Sequence, residues 1–159
     1  MVKNQSVPNK KTDLLRDLPY GAFLPFFYLF PEDLEMKTRK IMLLQDMFGL
    51  AKGEYFLIEN YCTDTECVCE KVMINVVAMK TNAIIGTVGF GWESSEFYTK
   101  WLLGDKEQGR KMVGAYIEVG GIQTGLEKEC LALVQNSLLD TKYVELIKKR
   151  NERFKNALS

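Results

Sequence analysis

Between Glu54 and Phe90 the chain is written with a period of two, and this pattern constrains the fold more than any other stretch. Tyr55, Leu57 and Glu59 alternate with Phe56, Ile58 and Asn60, and further on Val72, Ile74 and Val76 share one side of Lys71 to Met79. Successive side chains of an extended backbone point to opposite faces, so such alternation in β-forming residues specifies half-buried strands. Lys80-Thr81-Asn82 supplies a tight turn into a third run, Ala83 to Phe90. Two hairpins in series predict an antiparallel meander. Arg39 to Met47 fits either a helix that starts near Asp33 or a buried strand; because sheet follows, strand is the expectation, giving about four strands.

Past Gly91 the pattern changes to helix signals. Ser94 or Ser95 can cap a helix that carries Glu96 in its first turn and stops at Gly104. Residues 105–123 lack a clear period and predict loop, with one short strand around Ala115 to Val119. Thr124-x-x-Glu127 has the form of a capping box opening an amphipathic helix, with Leu126, Cys130, Leu133, Val134 and Leu138 as its apolar stripe. Asp140 caps a last helix in which Tyr143, Ile147, Phe154 and Leu158 lie on one side. The expected fold class is therefore α+β, a single domain over 1–159 with sheet over 39–91 and a mainly helical 94–158 packed on it.

The N-terminal region is less regular. Residues 1–10 are polar and read as disordered, and Lys11 to Leu18 fit a short helix ended by Pro19. Pro19, Pro25 and Pro31 punctuate an aromatic run, Tyr20 to Tyr28, which excludes a central strand or a long helix there. An extended segment draping its rings over the core is the expectation, ahead of a partner-binding surface.

Composition narrows the function classes. At 47% hydrophobic and 26% charged residues the chain is of ordinary globular type, so disordered and fibrous classes drop out. Its 21 basic and 21 acidic residues cancel, and no net field draws it to nucleic acid or an anionic membrane, so neither is an expected partner. Histidine is absent, which rules out Ser-His-Asp triads, Cys-His dyads, H-E-x-x-H zinc sites and histidine proton shuttles. The first residues carry no apolar signal core and no apolar run approaches the roughly 20 residues of a membrane span, so the cytoplasm is the expected location.

Three of the four cysteines fall in one polar, acidic turn, Cys62-Thr63-Asp64-Thr65-Glu66-Cys67-Val68-Cys69. In a reducing compartment clustered thiols read as metal ligands or redox groups before structural disulfides. Cys67 and Cys69, two apart, share a face, and closure of the hairpin returns Cys62 toward them. Three sulfurs suit a tetrahedral structural zinc ion that takes a fourth ligand from Cys130, Asp64, Glu66 or water. Cys130 fits better as a small apolar side chain on its helical stripe. The acidic neighbours Asp64, Glu66 and Glu70 are expected to hold thiol pKa values up, which disfavours a redox switch.

The same residues carry a resemblance. Tyr61-Cys62-x4-Cys67-x-Cys69, followed by Phe90-Gly91-Trp92-Glu93-Ser94-x-Glu96-Phe97-Tyr98-x-x-Trp101, resembles a family of small uncharacterised bacterial proteins with a Y-C-x4-C-D-C-R-R-V segment and a G-W-E-S-x-x-F-Y-x-x-W segment. The likeness covers about residues 54–101 well and the C-terminal helices loosely. Val68 stands where that family has Asp, Glu70-Lys71 replaces a basic pair, and Arg150-Asn151 stands where it places His-Tyr. The resemblance implies no activity.

Three further features have ordinary readings. Gly86-x-x-Gly89-x-Gly91 lies within a β run, where glycines mark a bulge or a close approach and not a dinucleotide fingerprint. Trp92-Glu93-Ser94 reads as a helix cap before a pocket wall. Lys148, Lys149, Arg150, Arg153 and Lys155 read as a solvated helical face that complements its own dipole. The functional expectation is a non-enzymatic domain with a zinc-holding cysteine hairpin and an interaction or regulatory role toward a protein partner. The alternatives are a thiol-based redox sensor or enzyme using the same loop, and a metal-free interaction domain using Tyr20 to Tyr28.

Overall fold

The computed structural model describes residues 22–33, 38–64, 66–67 and 69–158. The expected helix over Lys11 to Leu18 and the disordered 1–10 lie outside them. Among the described residues six antiparallel strands form one sheet: β1 (Phe23–Pro25), β2 (Arg39–Leu43), β3 (Gly53–Cys62), β4 (Lys71–Ala78), β5 (Ala83–Gly91) and β6 (Gly114–Ile117). Among the described residues five α-helices and one short 3-10 helix (Pro31–Asp33) accompany them: α1 (Phe26–Leu29), α2 (Ser95–Trp101), α3 (Lys106–Lys111), α4 (Glu127–Ser137) and α5 (Thr141–Leu158). The α+β class holds, with more strands than the expected four.

The meander β3-β4-β5 sits where the alternation places it, in a register that pairs Leu57 with Val76 and Ile74 with Val88. The other side of β3 is shared end to end. β2 pairs with Gly53 to Leu57 and β1 pairs with Asn60 to Cys62. Pro25 is thus tolerated because it lies on a short outer strand, where no complete ladder is demanded of it.

One face of the sheet forms the core. Tyr55, Leu57 and Tyr61 of β3, Val72, Ile74 and Val76 of β4, and Val88 and Phe90 of β5 cluster with Cys130, Leu133 and Val134 of α4 and Tyr143, Ile147 and Phe154 of α5. Phe26, Leu29 and Phe30 close one end, Phe26 stacking on Phe30 at 4.8 Å and meeting the Tyr61 ring edge-on at 5.9 Å. The described part of the aromatic segment therefore packs on the core as expected, but it is not extended throughout, since Phe26–Leu29 coils into α1. Each such fully buried large side chain contributes about 1.5–3 kcal/mol.

Local signals held where a side chain had a free backbone group to meet. Ser94 Oγ accepts the Phe97 N–H at 3.2 Å, and Asp140 Oδ1 accepts the Lys142 N–H at 3.0 Å at the start of α5. The capping box did not form. Thr124 donates instead to the Ile85 carbonyl at 2.6 Å, Gly125 turns through φ +92°, and α4 begins at Glu127, whose carboxylate accepts the Gly125 N–H at 3.1 Å. Residues 105–123 are also not mainly loop. Asp105 caps α3 by accepting from the Gln108 N–H, and Gly109 is retained inside that helix because a Cβ there would lie 2.2 Å from Thr99 Oγ1 of α2. Here glycine permits two helices to touch. The chain then returns to the sheet as β6.

The largest correction concerns Arg150. It is not part of a solvated basic face: it is 5% exposed, and its Nη1 donates to both carboxylate oxygens of Glu59 at 2.8 and 2.9 Å. Tyr61 and Tyr143 donate to the same carboxylate at 2.7 and 2.9 Å. Burial and the Glu59 charge push both phenol pKa values well above the ordinary 10.0.

Candidate metal centre

The hairpin that joins β3 to β4 is built by the ends of those strands. Tyr61 faces the core, so alternation turns Cys62 to the opposite face, beside its partner Phe23 of β1. Thr63 anchors the start of the loop, its N–H and its hydroxyl both donating to the Ala22 carbonyl at 2.9 and 2.7 Å. Asp64 organises the turn. Its side chain accepts the Glu66 N–H at 3.0 Å and its carbonyl accepts the Cys67 N–H at 3.2 Å, an Asx turn that reverses the chain.

The far end is held by the segment that follows β5. Glu70 accepts the Trp92 indole N–H on its carboxylate at 3.1 Å, and its carbonyl accepts the Tyr98 hydroxyl. The Tyr98 oxygen in turn accepts the Glu93 N–H at 3.2 Å. The two motif segments of the sequence thus meet in space, one carrying the sulfurs and the other fixing the loop that bears them. Gly91 makes the meeting possible, because a Cβ there would lie 2.1 Å from the Met112 carbonyl oxygen and 2.6 Å from the Tyr98 hydroxyl. Sequence reasoning singled out Trp92 and Tyr98 without seeing their partner; a lone Glu70 between two sites offers no pattern to detect.

The Sγ atoms of Cys62, Cys67 and Cys69 lie within 4.8 Å of one another, close enough to hold a metal ion. A tetrahedral ion with Zn–S bonds of about 2.3 Å sets its sulfurs about 3.8 Å apart, so an inward shift of about 1 Å completes the contact. Cys62 and Cys69 are each 2% exposed, while Cys67 is half-buried and faces the solvent side. All three thiols are free of disulfides.

The electrostatics differ from expectation. A hydrogen bond from the Cys69 thiol lowers Cys62 to about 6 against the opposing effect of burial, and the Asp64 backbone N–H and the Cys67 thiol pull the same way. Asp64's carboxylate opposes this only as the weakest of the influences, so the acidic neighbours do not decide the outcome. Cys69 moves the other way, strongly upward, because its S–H donates a hydrogen bond to the Cys62 sulfur and is itself buried.

Cys130 is not with them. It is fully buried on α4, its sulfur packed against Gly86 on the core face, where a Cβ on Gly86 would come within 2.7 Å of it. Burial raises its thiol to about 12, as suits an inert apolar side chain. Among the described residues no carboxylate joins the three sulfurs. Asp64 is spent on the turn, Glu66 is exposed and Glu70 is held by Trp92.

No family model, no curated protein and no solved structure matches the chain. Among the described residues no helix is long and apolar enough to cross a membrane.

Proposed function

We propose that Cys62, Cys67 and Cys69 bind a zinc ion that locks the β3–β4 hairpin of a non-enzymatic binding module. The observation that carries this reading is the convergence of three Sγ atoms within 4.8 Å on a loop fixed at both ends. Thiolates are the ligating form, and a Cys62 already drawn to about 6 gives up its proton readily at neutral pH. Water fills the fourth position on the side where Cys67 meets solvent. The metal's role is structural: it gathers residues that are otherwise an acidic turn and sets Glu70 against Trp92 and Tyr98.

Metal analysis of protein purified without chelator tests this. About one equivalent of zinc is expected, lost together with thermal stability in Cys67→Ser, since binding energy in such sites is folding energy. Absence of metal in freshly purified, reduced protein overturns the proposal.

A second reading, a reactive thiol for redox or enzymatic use, draws on the lowered pKa of Cys62. Its burial at 2% exposure works against it, because an attacking thiolate needs access. Rapid alkylation of Cys62 in metal-free, folded protein would favour this alternative. The third reading, a metal-free docking surface at Tyr20 to Tyr28, loses ground because Phe26 is core and, among the described rings of that run, only Tyr28 is exposed.

A further inference from the structure

Lys71 opens β4 two residues after Cys69 and lies on the face of the sheet away from the core, paired with Gly91. It is 9% exposed, unusual for a lysine. Its ammonium donates to the Tyr116 hydroxyl at 3.1 Å and to Glu118 Oε2 at 3.3 Å. The rings of Phe23, Tyr116 and Trp101 surround it with centroids at 5.4, 5.7 and 6.0 Å. Among the described residues its third N–H has no hydrogen-bond partner, and Lys71 lines a cleft of about 660 Å³.

Strands β4 and β6 and helices α2 and α3 shape this cleft. Tyr116 of β6 lies flat on the sheet because β5 offers Gly89, where a Cβ would come within 2.2 Å of the phenol ring. Trp101, at the end of α2, leaves its indole 38% exposed at one wall. Gln108 and Lys111 of α3 form another wall, and Lys71, Tyr116 and Glu118 form the base. The volume falls within the roughly 300–1,000 Å³ of small-molecule sites, and an apolar lining with a few convergent polar groups is their usual make-up.

We propose that this cleft binds a small planar monocarboxylate, its ring against the Trp101 indole and its carboxylate between Lys71 and Lys111. The charges set the valence. Lys71 is paired with Glu118 at 3.3 Å, whereas Lys111 meets only Glu107, outside the cleft lining, in an exposed pair at 3.5 Å that solvent screens, so the lining keeps a surplus of one positive charge that matches a monoanion. A phosphate dianion would exceed that surplus, and the cleft lacks the arginine fork that such a group favours. A flat ring suits an indole face that stays open beside a buried cation. This site is separate from the metal proposal: its groups come from β4, β6, α2 and α3, and none is a cysteine.

Equilibrium dialysis of the full chain as purified, with 2-naphthoate as the probe, tests the assignment. One site per chain with a Kd at or below about 1 mM is expected for a ligand of that size. Binding of the uncharged isostere 2-naphthamide should be at least about tenfold weaker, as should binding of 2-naphthoate to Lys111→Glu. Lys111 is 60% exposed, so that variant keeps the fold. Lys71→Met, with its circular dichroism checked, should abolish binding. Equal binding of the acid and the amide, an unchanged Kd in Lys111→Glu, or no saturation below about 10 mM overturns the proposal.

Discussion

Replacing Glu59 by glutamine is expected to cost this protein a large share of its stability. The carboxylate is 2% exposed and receives four hydrogen bonds, two from Arg150 Nη1 and one each from Tyr61 and Tyr143. Glutamine keeps the shape but removes the charge, leaving the Arg150 guanidinium, 7% exposed, without its counterion. Breaking one side of a buried pair costs about 3–5 kcal/mol, against a total of about 5–15 kcal/mol for a typical domain. Removing both sides is another matter. In Glu59→Leu/Arg150→Met no charge is left stranded, and because Tyr61 keeps the Ile147 carbonyl at 3.4 Å only the Tyr143 hydroxyl is left as an unpaired buried donor, at about 1–3 kcal/mol. The double variant should therefore be more stable than either Glu59→Gln or Arg150→Met alone. Urea unfolding followed by far-UV circular dichroism reads the difference, and with a slope of about 2 kcal/mol per molar the single variants lose about 2 M in midpoint. Single-variant losses below about 1 kcal/mol would show that the pair is not desolvated and would refute the reasoning.

Alkaline pH should unfold the protein through the same cluster. Tyr61 and Tyr143 have folded pKa values raised above 10.0, so the folded state holds protons that the unfolded chain releases. Their contribution is complete below about pH 10 and declines as pH climbs toward the folded values, a slope that Tyr143→Phe should reduce in pH-dependent denaturant titrations. Gly91→Ala forces a methyl against the Met112 carbonyl and the Tyr98 ring; a loss of about 1–3 kcal/mol in thermal melts is expected, with weakened metal retention because Tyr98 holds Glu70. Cys130→Ser should lower stability by placing a hydroxyl in the core without changing metal content by elemental analysis. Ser94→Ala should cost about 0.5–2 kcal/mol through loss of the α2 cap, again measurable by urea midpoint.

What was legible in the sequence was whatever a local period or a local cap encodes. Val72, Ile74 and Val76 announced both a strand and its inward face, and Cys67 and Cys69 announced a shared direction, because neighbouring residues alone settle these. Arg150 was misread because a basic residue among Lys148, Lys149 and Arg153 looks like surface until Glu59, 91 positions away, is brought beneath it. A hint was present in β3: Glu59 interrupts an inward face of Tyr55, Leu57 and Tyr61, and a carboxylate there demands a cation. The helix α3 was missed, within a stretch read as loop, for the opposite reason. A glycine that breaks an isolated helix also lets two helices approach, and only the neighbour Thr99 decides which. The thiol electrostatics were misjudged because carboxylates close in sequence were weighed above sulfurs close in space, and a hydrogen bond outweighs a charge that solvent screens.

The division of one flank of β3 between β1 and β2 has a consequence for how the molecule behaves at high concentration. Three residues ending in a proline and five residues carrying Arg39 and Lys40 stand where a long bare ribbon of amide groups would otherwise invite another chain to add on. Stripping away β1 would reopen Asn60 to Cys62 as a sticky rim, so β1 and β2 act as a guard against fibrous self-association.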